Sequence, residues 1–343
     1  MKDKILYIGE FPPPYGGVTI KNSLLVGEIL ADCDLETFDL YRFVREKPKA
    51  LSAAIELIRA IRHAQSICVG VGHPHRMCLI FRMARFLRGK AFLGNITVFM
   101  MGSGTPGYLR EHPRYIPDVA LGRCIFTESE QLNAQLFELG CDNARYLPNF
   151  RKSSGACEPR PTDDVVRFVY FAQVRPEKGF DTLAAAAQKL NAEGLRDSFD
   201  ISVYGSVVDG YQSEFEHLLA QIPNMKYKGA FDAAKHDVYA ELNQYDASAS
   251  SSSWREGMSG SNIECKFAGV ANIVSEAGFN SECVSNGVDG LLVKPRDVNA
   301  LADAMQTLIS DHDLLQRMKW ASYRSHIHYD VATWKQRVLD VIG

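Results

Sequence analysis

Two carboxylates, Glu256 and Glu264, bracket seven residues that begin Gly257-Met258-Ser259-Gly260-Ser261. Small residues let backbone N–H groups approach a ligand closely, and the residues from Asn262 to Gly269 read as a helix opening at that point. The amides and dipole of a helix start attract phosphate. An ionised carboxylate only accepts hydrogen bonds, so it suits hydroxyl groups. Phosphate in the middle with hydroxyls on both sides describes a nucleotide-sugar. A plainer reading stands beside it: Ser261-Asn262-Ile263-Glu264 has the form of a capping box, which needs no ligand.

Other stretches could join such a site. The apolar run of residues 5–9 predicts a buried parallel strand, followed by Glu10-Phe11-Pro12-Pro13-Pro14-Tyr15-Gly16-Gly17 and a helix over residues 18–30. Strand, Gly-Gly loop and helix form an anion cradle, or a plain strand–helix turn. The spacing is not that of the dinucleotide fingerprint. His73-Pro74-His75 and Gly102-Ser103-Gly104 each follow a strand-like run. The two His lack a third metal ligand at usable spacing; contact with substrate, or a structural role, fits them better. The segment from Arg76 to Lys90 alternates bases with apolar residues at helical spacing. It predicts a basic amphipathic helix, able to lie on an anionic membrane surface or simply to pack with its basic face in water.

These residues need elements to hold them. Strand-like runs recur at residues 66–71, 96–101, 124–127 and 145–147, with helical stretches between, which argues for a doubly wound α/β domain. Ligands in such folds sit at the carboxyl ends of the strands. Residues 151–164 carry two prolines and no apolar periodicity and read as a linker. The pattern then restarts, with strands expected at 165–171, 201–204, 225–228, 247–250, 273–275 and 291–293.

The chain of 343 residues is long enough for two such domains. Its 46% hydrophobic and 23% charged residues are those of a water-soluble globular protein. The net charge is −3, with 18 Lys and Arg against 15 Asp and Glu in residues 1–150, and 20 against 26 in the rest. Nothing in that balance calls for nucleic acid. The eight cysteines are scattered without a Cys-x-x-Cys pair, so a reduced, cytoplasmic setting is expected and neither zinc nor redox chemistry. No leader and no membrane-spanning run is read in the sequence.

Taken in order, the motifs resemble those of the retaining nucleotide-sugar glycosyltransferases of family four. Pro14-Tyr15-Gly16-Gly17 is similar to that family's Gly-Gly loop. Thr127-Glu128-Ser129 and Leu147-Pro148-Asn149 are similar to its closing N-domain segment. Arg175-Pro176-Glu177-Lys178-Gly179 resembles its diphosphate loop, and Glu256 to Glu264 its Glu–seven residues–Glu signature. Glu276-Ala277-Gly278 and Asn286-Gly287-Val288-Asp289-Gly290 resemble the strand and turn that follow.

The resemblance implies the GT-B architecture: an α/β protein of two Rossmann-like doubly wound domains facing each other across a cleft. Residues 1–155 would bind the acceptor and 163–325 the nucleotide-sugar donor, with a helix in 326–343 crossing back to the first domain. It also implies roles. Lys178 would neutralise the departing diphosphate, with Arg175 beside it. Glu264 would hold the ribose and Glu256 the donor sugar. Amides of Gly16, Gly17, Gly205, Gly260, Ser261 and Asn262 would cradle the donor. Lysine and helix ends would replace a divalent cation, so no metal and no cofactor is expected. Retention would follow front-face attack, with a donor phosphate oxygen taking the acceptor's proton.

Two positions depart from the family pattern. Gln173 stands where an Arg is usual, and Arg175 would supply the charge instead. Met100 to Gly104 lack the usual His, so His73, His75 or backbone groups such as those at Ser103 would meet the sugar. The expected activity is transfer from a nucleoside-diphosphate sugar, UDP being the commonest, to a glycan acceptor such as a lipid-linked oligosaccharide of surface polysaccharide. A cytoplasmic protein touching the inner membrane face through the Arg76 to Lys90 helix would fit it. The alternative, motivated by the two departures, is a catalytically silent GT-B protein that binds nucleotide-sugar or a partner enzyme. An epimerase of the same fold would need paired acids and His that are not found.

Overall fold

The computed structural model describes residues 4–13, 15–233, 235–254 and 257–343. The chain divides into two compact units: residues 1–151 with 330–343, and residues 152–329.

The first unit is a six-stranded parallel sheet: β1 (Ile5–Gly9), β2 (Leu35–Asp39), β3 (Ser66–Val71), β4 (Ile96–Met100), β5 (Cys124–Thr127) and β6 (Ala144–Tyr146), in the order β2-β1-β3-β4-β5-β6. Alternate residues of a strand face opposite sides, and both sides are apolar. Leu6 and Ile8 of β1 join one core with Ile67, Val69 and Val98. Ile5 and Tyr7 join another with Cys68, Phe99 and Phe126. The second core also takes Val331, Trp334, Val338 and Ile342 from the last helix, Val331–Ile342. A parallel bridge between Arg151 and Asp330 brings that helix alongside the end of the first segment. Asp330 caps it through Ala332 N–H at 3.0 Å.

The second unit is another six-stranded parallel sheet: β7 (Val166–Phe171), β8 (Phe199–Tyr204), β9 (Met225–Gly229), β10 (Ala247–Ser250), β11 (Ala271–Ser275) and β12 (Gly290–Val293), in the order β12-β11-β10-β7-β8-β9. Both sheets are doubly wound, but they differ in order. Counted within its own unit, the second is 6-5-4-1-2-3, the Rossmann arrangement; the first is 2-1-3-4-5-6, the flavodoxin-like one. The two faces of the second sheet are unlike. Ala247, Ala249, Ala271 and Ile273 point into an apolar core with Phe168, Phe180 and Leu183. Ser248 and Asn272, on the opposite face, bond to each other at 2.8 Å. Beneath that face Lys266 pairs with Asp289 at 2.7 Å and Lys319 with Asp246 at 2.6 Å, all four buried.

Several expected boundaries move. The first helix runs from Gly17 to Leu24 and then widens into a π turn over Leu25–Ile29. The basic helix is Pro74–Arg88, two residues earlier than expected, because Pro74 suits a first helical position. The chain passes between units at 151/152 and 329/330, not within 155–163 or at 326. His326 and Tyr329 are buried in the second unit, His326 against Phe267 and Tyr323. The stretch read as a linker has no regular structure, yet it is fastened along the second unit. Cys157 N–H bonds to Phe267 O, Asn243 to Glu158 O, and Lys319 to Arg160 O.

Candidate functional site

In each sheet the ligand crevice of a doubly wound fold lies where the strand order reverses. In the second unit this point is between β7 and β10. Residues 172–179 follow β7 and residues 251–259 follow β10, and the two loops are tied together. Ser253 N–H bonds to Glu177 O at 2.9 Å, Ser252 Oγ to the same carbonyl at 3.3 Å, and Ser250 Oγ to Lys178 O at 3.3 Å. Gly179 is left-handed at φ 84°, and a Cβ there would stand 2.4 Å from the backbone of Ser251. Lys178, half-buried, is therefore held by its own main chain against the segment that leads to the next helix.

That helix is Gly260–Phe267, with Ser259 as its N-cap. The expected opening at Asn262 is two residues late, and the capping-box reading of Ser261 with Glu264 does not hold. Ser261 is the second helical residue, its hydroxyl 3.0 Å from that of Ser259. Glu264 is half-buried, one turn into the helix. The N–H groups of Gly260, Ser261 and Asn262 precede the first intrahelical bond, Ile263 N–H to Ser259 O, and form the open helix start. The Asn262 side chain is committed elsewhere: its amide donates to Asn280 Oδ1 at 3.1 Å. Glu256, the partner carboxylate of the signature, lies outside the described residues.

Arg175 does not stand free as a fork. Its Nε donates to Glu177 at 2.8 Å, and its guanidinium lies 4.9 Å from the centre of the Trp254 ring. The hydrogen bond from Arg175, first among several causes, holds the Glu177 carboxyl below its usual range. Gln173 is exposed and 3.5 Å from an Arg175 nitrogen. Gly205, at φ 140°, has a second reason to be glycine: a Cβ there would fall 1.9 Å from Ala172 O.

In the first unit the order reverses between β1 and β3. A cavity of about 300 Å³ opens there, lined by Glu10, Gly16, Gly17, Val18, Thr19, Tyr41, Gly72, His73 and Met101. These residues come from the carboxyl ends of β1, β2, β3 and β4. Gly16 N–H is taken by Thr19 Oγ1 at 2.9 Å, and a Cβ on either Gly16 or Gly17 would meet nothing within 4 Å. His73 lines this cavity. His75 does not; its Nδ1 is 3.0 Å from Tyr108 Oη. Ser103 sits half-buried in the loop after β4 and is not among the lining residues. Among the described residues no three His, Cys, Asp or Glu side chains come together as a metal site.

The bases of the helix Pro74–Arg88 are largely engaged within their own unit. Arg76 pairs with Glu10 and Arg85 with Asp118. Arg88 donates to the carbonyls of Ile61, Arg62 and Ala64 at the end of the helix Ala50–His63. Arg82 lies 5.8 Å from the Tyr115 ring centre. Phe86 is 88% exposed and Leu79, seven residues before it, 43%. No helix among the described residues is long and apolar enough to cross a membrane.

Residues 158–325 match the model of the family described as glycosyl transferases group 1. The whole chain resembles solved structures at low identity. Sucrose-phosphate synthase from Thermosynechococcus elongatus shares 17% identity at a TM-score of 0.77, over 99% of this chain and 98% of that one. HepE of Anabaena, solved with UDP-glucose, shares 15% at 0.74, over 99% of both chains. The lipopolysaccharide outer core galactosyltransferase WaaB shares 15% at 0.69, again over 99% of both. The fold is that of these proteins, GT-B. No curated protein matches the chain in sequence.

Within the GT-B fold, several groups at the strand ends escaped sequence reading. Glu10 is 3% exposed at the end of β1. Burial first, and then the nearby Glu10 carboxylate, push the Tyr41 phenol above its ordinary range. Lys21, fully buried, pairs with Glu128 Oε1 at 2.9 Å, while Glu128 Oε2 accepts the Gly102 N–H at 3.3 Å. Burial lowers the Lys21 pKa against the pull of that carboxylate. In the second unit Phe171 and Tyr204 end β7 and β8, with rings 5.6 Å apart, and Phe231 packs 5.4 Å from Phe171. An acid or aromatic as the last residue of an apolar strand was the available signal.

Proposed function

We propose that the protein is a retaining glycosyltransferase that moves a sugar from a nucleoside-diphosphate sugar to a glycan acceptor without a metal ion. The observation that carries this reading is the locked pair of loops at the second unit's switch point. It brings the Lys178 main chain onto the segment that ends in the open helix start at Gly260, Ser261 and Asn262. A cation and unsatisfied amides at one crevice suit a diphosphate leaving group. In this reading Lys178, with Arg175 once released from Glu177, neutralises the diphosphate. Glu264 takes the ribose, Glu256 the donor sugar, and Gly205 borders the nucleotide. The aromatic faces of Phe171, Tyr204 and Phe231 offer a surface on which a base can stack. Gly16 and Gly17 supply amides from the first unit, with His73, His75 and Ser103 as groups for the sugar or acceptor.

UDP is the first donor to test, since HepE was solved with UDP-glucose. A lipid-linked oligosaccharide acceptor is supported by the likeness to a lipopolysaccharide outer core galactosyltransferase. In this reading the protein works in the cytoplasm, at the inner membrane face. The contact with an anionic membrane rests on Phe86, Leu79, Arg82 and Lys90, since the other bases of that helix are engaged. Flotation with anionic vesicles that is unchanged in Phe86→Ser would remove this part of the proposal.

The donor reading is tested by thermal shift against UDP-, GDP- and ADP-sugars and by release of nucleoside diphosphate. One donor at about 100 times its dissociation constant should add roughly 2.7 kcal/mol of stability. Lys178→Ala should cut diphosphate release at least about 100-fold. A stabilising donor with no release, even with candidate acceptors present, would instead favour the silent protein that Gln173 suggests.

A further inference from the structure

Among the described residues, Arg296 is the one non-glycine at a positive φ, 61°. It stands in the loop after β12, in a turn closed by Asp297 N–H to Lys294 O at 3.3 Å, with Pro295 before it. A positive φ at the third residue of such a turn is the type II arrangement, where Gly or Asn is usual. Glycine would sit there without strain. The arginine is exposed and fills no core. A residue held in an unfavourable conformation without a packing reason directs attention to what its side chain does.

Both ends of Arg296 are tied to the loop after β10. Its N–H donates to Ser251 Oγ at 3.1 Å and its Nε to Ser253 Oγ at 3.0 Å. Ser253 in turn holds the lysine loop, donating to Glu177 O from its N–H at 2.9 Å and from its Oγ at 3.4 Å. The guanidinium is thus anchored one serine away from Glu177. The hydrogen bond from Arg175 does most to hold the Glu177 carboxyl below its usual range, and the Arg296 charge adds to it.

Glu177 is therefore one carboxylate within reach of two guanidiniums. Arg175 holds it through Nε at 2.8 Å and lies 4.9 Å from the centre of the Trp254 ring. While that bond stands, the Arg175 fork is not open to an anion. If it breaks with no second cation near, a carboxylate is left unpaired beside the arriving negative charge. Arg296 supplies the second cation. Ion pairs partly open to water, as this one is, are worth little. The pull of a diphosphate on Arg175 can then decide between the two pairings.

We propose that Arg296 is a positioning residue of the anion site: when a diphosphate draws Arg175 away, Glu177 passes from Arg175 to Arg296. The inference deepens the glycosyltransferase reading and rests on it only for the source of the diphosphate.

The experiment uses the full chain, with inorganic pyrophosphate followed by calorimetry. Arg296→Gly removes the guanidinium and relieves the turn, so its Tm should match or exceed that of the native protein. Its affinity for pyrophosphate should nevertheless fall about tenfold, as expected for coupled neighbours. In a Glu177→Gln background Arg175 is already released, and adding Arg296→Gly should change the affinity less than about twofold. The proposal is overturned if pyrophosphate does not bind the native protein, or if Arg296→Gly leaves its affinity unchanged. It is overturned equally if the loss persists undiminished in Glu177→Gln, which would make Arg296 a direct contact of the anion. A lowered Tm in Arg296→Gly would reduce the residue to a brace of the loop and overturn it too. UDP-, GDP- and ADP-sugars are titrated separately. If none binds while pyrophosphate shows the expected dependence on Arg296, the donor reading falls and this one stands; if a donor binds equally well to Arg296→Gly, the reverse holds.

Discussion

At the end of β1, a Cβ on Gly16 or Gly17 would meet nothing within 4 Å, whereas at the ends of β7 and β8 the protein's own backbone fills the equivalent space. Gly179 gives way to Ser251 and Gly205 to Ala172 O. Gly16, Gly17 and Gly179 belong to loops at a switch point, and Gly205 follows the neighbouring strand β8. The difference lies in what occupies the room they leave. In the second unit, glycine lets two loops lock together, so that Lys178 and the helix start at Gly260 are pre-set. In the first, glycine leaves a cavity open beside Glu10 and Tyr41. The first unit shapes a space, and the second shapes a surface of fixed polar groups.

This contrast can be broken most forcefully by alanine. Gly179→Ala and Gly205→Ala each force a Cβ into backbone at a positive φ, and should destabilise the second unit by at least about 3 kcal/mol. Gly16 is extended at φ −167° and Gly17 is the first helical residue, so alanine at either should change stability by less than about 1 kcal/mol. Ligand binding at the first unit's cavity should nevertheless weaken. Urea unfolding separates the cases, because Trp254 and Trp320 report the second unit and Trp334 the first. Equal losses at all four glycines would erase the distinction.

Sequence reading reached the strands buried on both faces most directly, because an apolar run of four to six residues leaves little choice. Residues 5–9, 66–71 and 124–127 agree with β1, β3 and β5 to the residue. The edge strand β2, Leu-Glu-Thr-Phe-Asp, escaped because only Phe38 of its five residues is buried. The helix start was misplaced by two residues since Ser259 and Ser261 are equally good caps by type; only the backbone shows that Ser259 has the extended conformation. The buried pairs were beyond reach for another reason. Lys21 and Glu128 are 107 residues apart, and Lys319 and Asp246 are 73. A lysine in a helix reads as solvent-facing until its partner is known. The Gly-Gly loop was legible as an anion cradle, but the buried Glu10 that lines the same cavity was read only as the first residue of that loop.

The two units should also part company in alkali, through cysteines rather than glycines. Burial pushes the thiols of Cys68, Cys78 and Cys124 up to about 12 and that of Cys141 to about 11, all in the first unit. In the second, Cys265 is pushed to about 12, and burial also raises Cys283 and the half-buried Cys157. A thiol raised in the folded state loses its proton first in the unfolded chain, near its ordinary value of about 9. The folded state then binds more protons, and stability falls as pH rises from there towards 12. Between about pH 8 and pH 9.5 each such thiol should remove roughly 0.8 kcal/mol. Lys21 and Lys319, both lowered chiefly by burial, act in the opposite sense, but there is one in each unit. Tyr7 and Tyr204, raised by burial, add their losses only above about pH 10. With four such thiols against three, the first unit should therefore lose about 0.8 kcal/mol more than the second across this window. Trp334 fluorescence in a Trp254→Phe, Trp320→Phe background would follow the first unit, and a Trp334→Phe chain the second. If both midpoints fall together, the buried thiols of β3 and β5 are not what distinguishes the first unit in alkali.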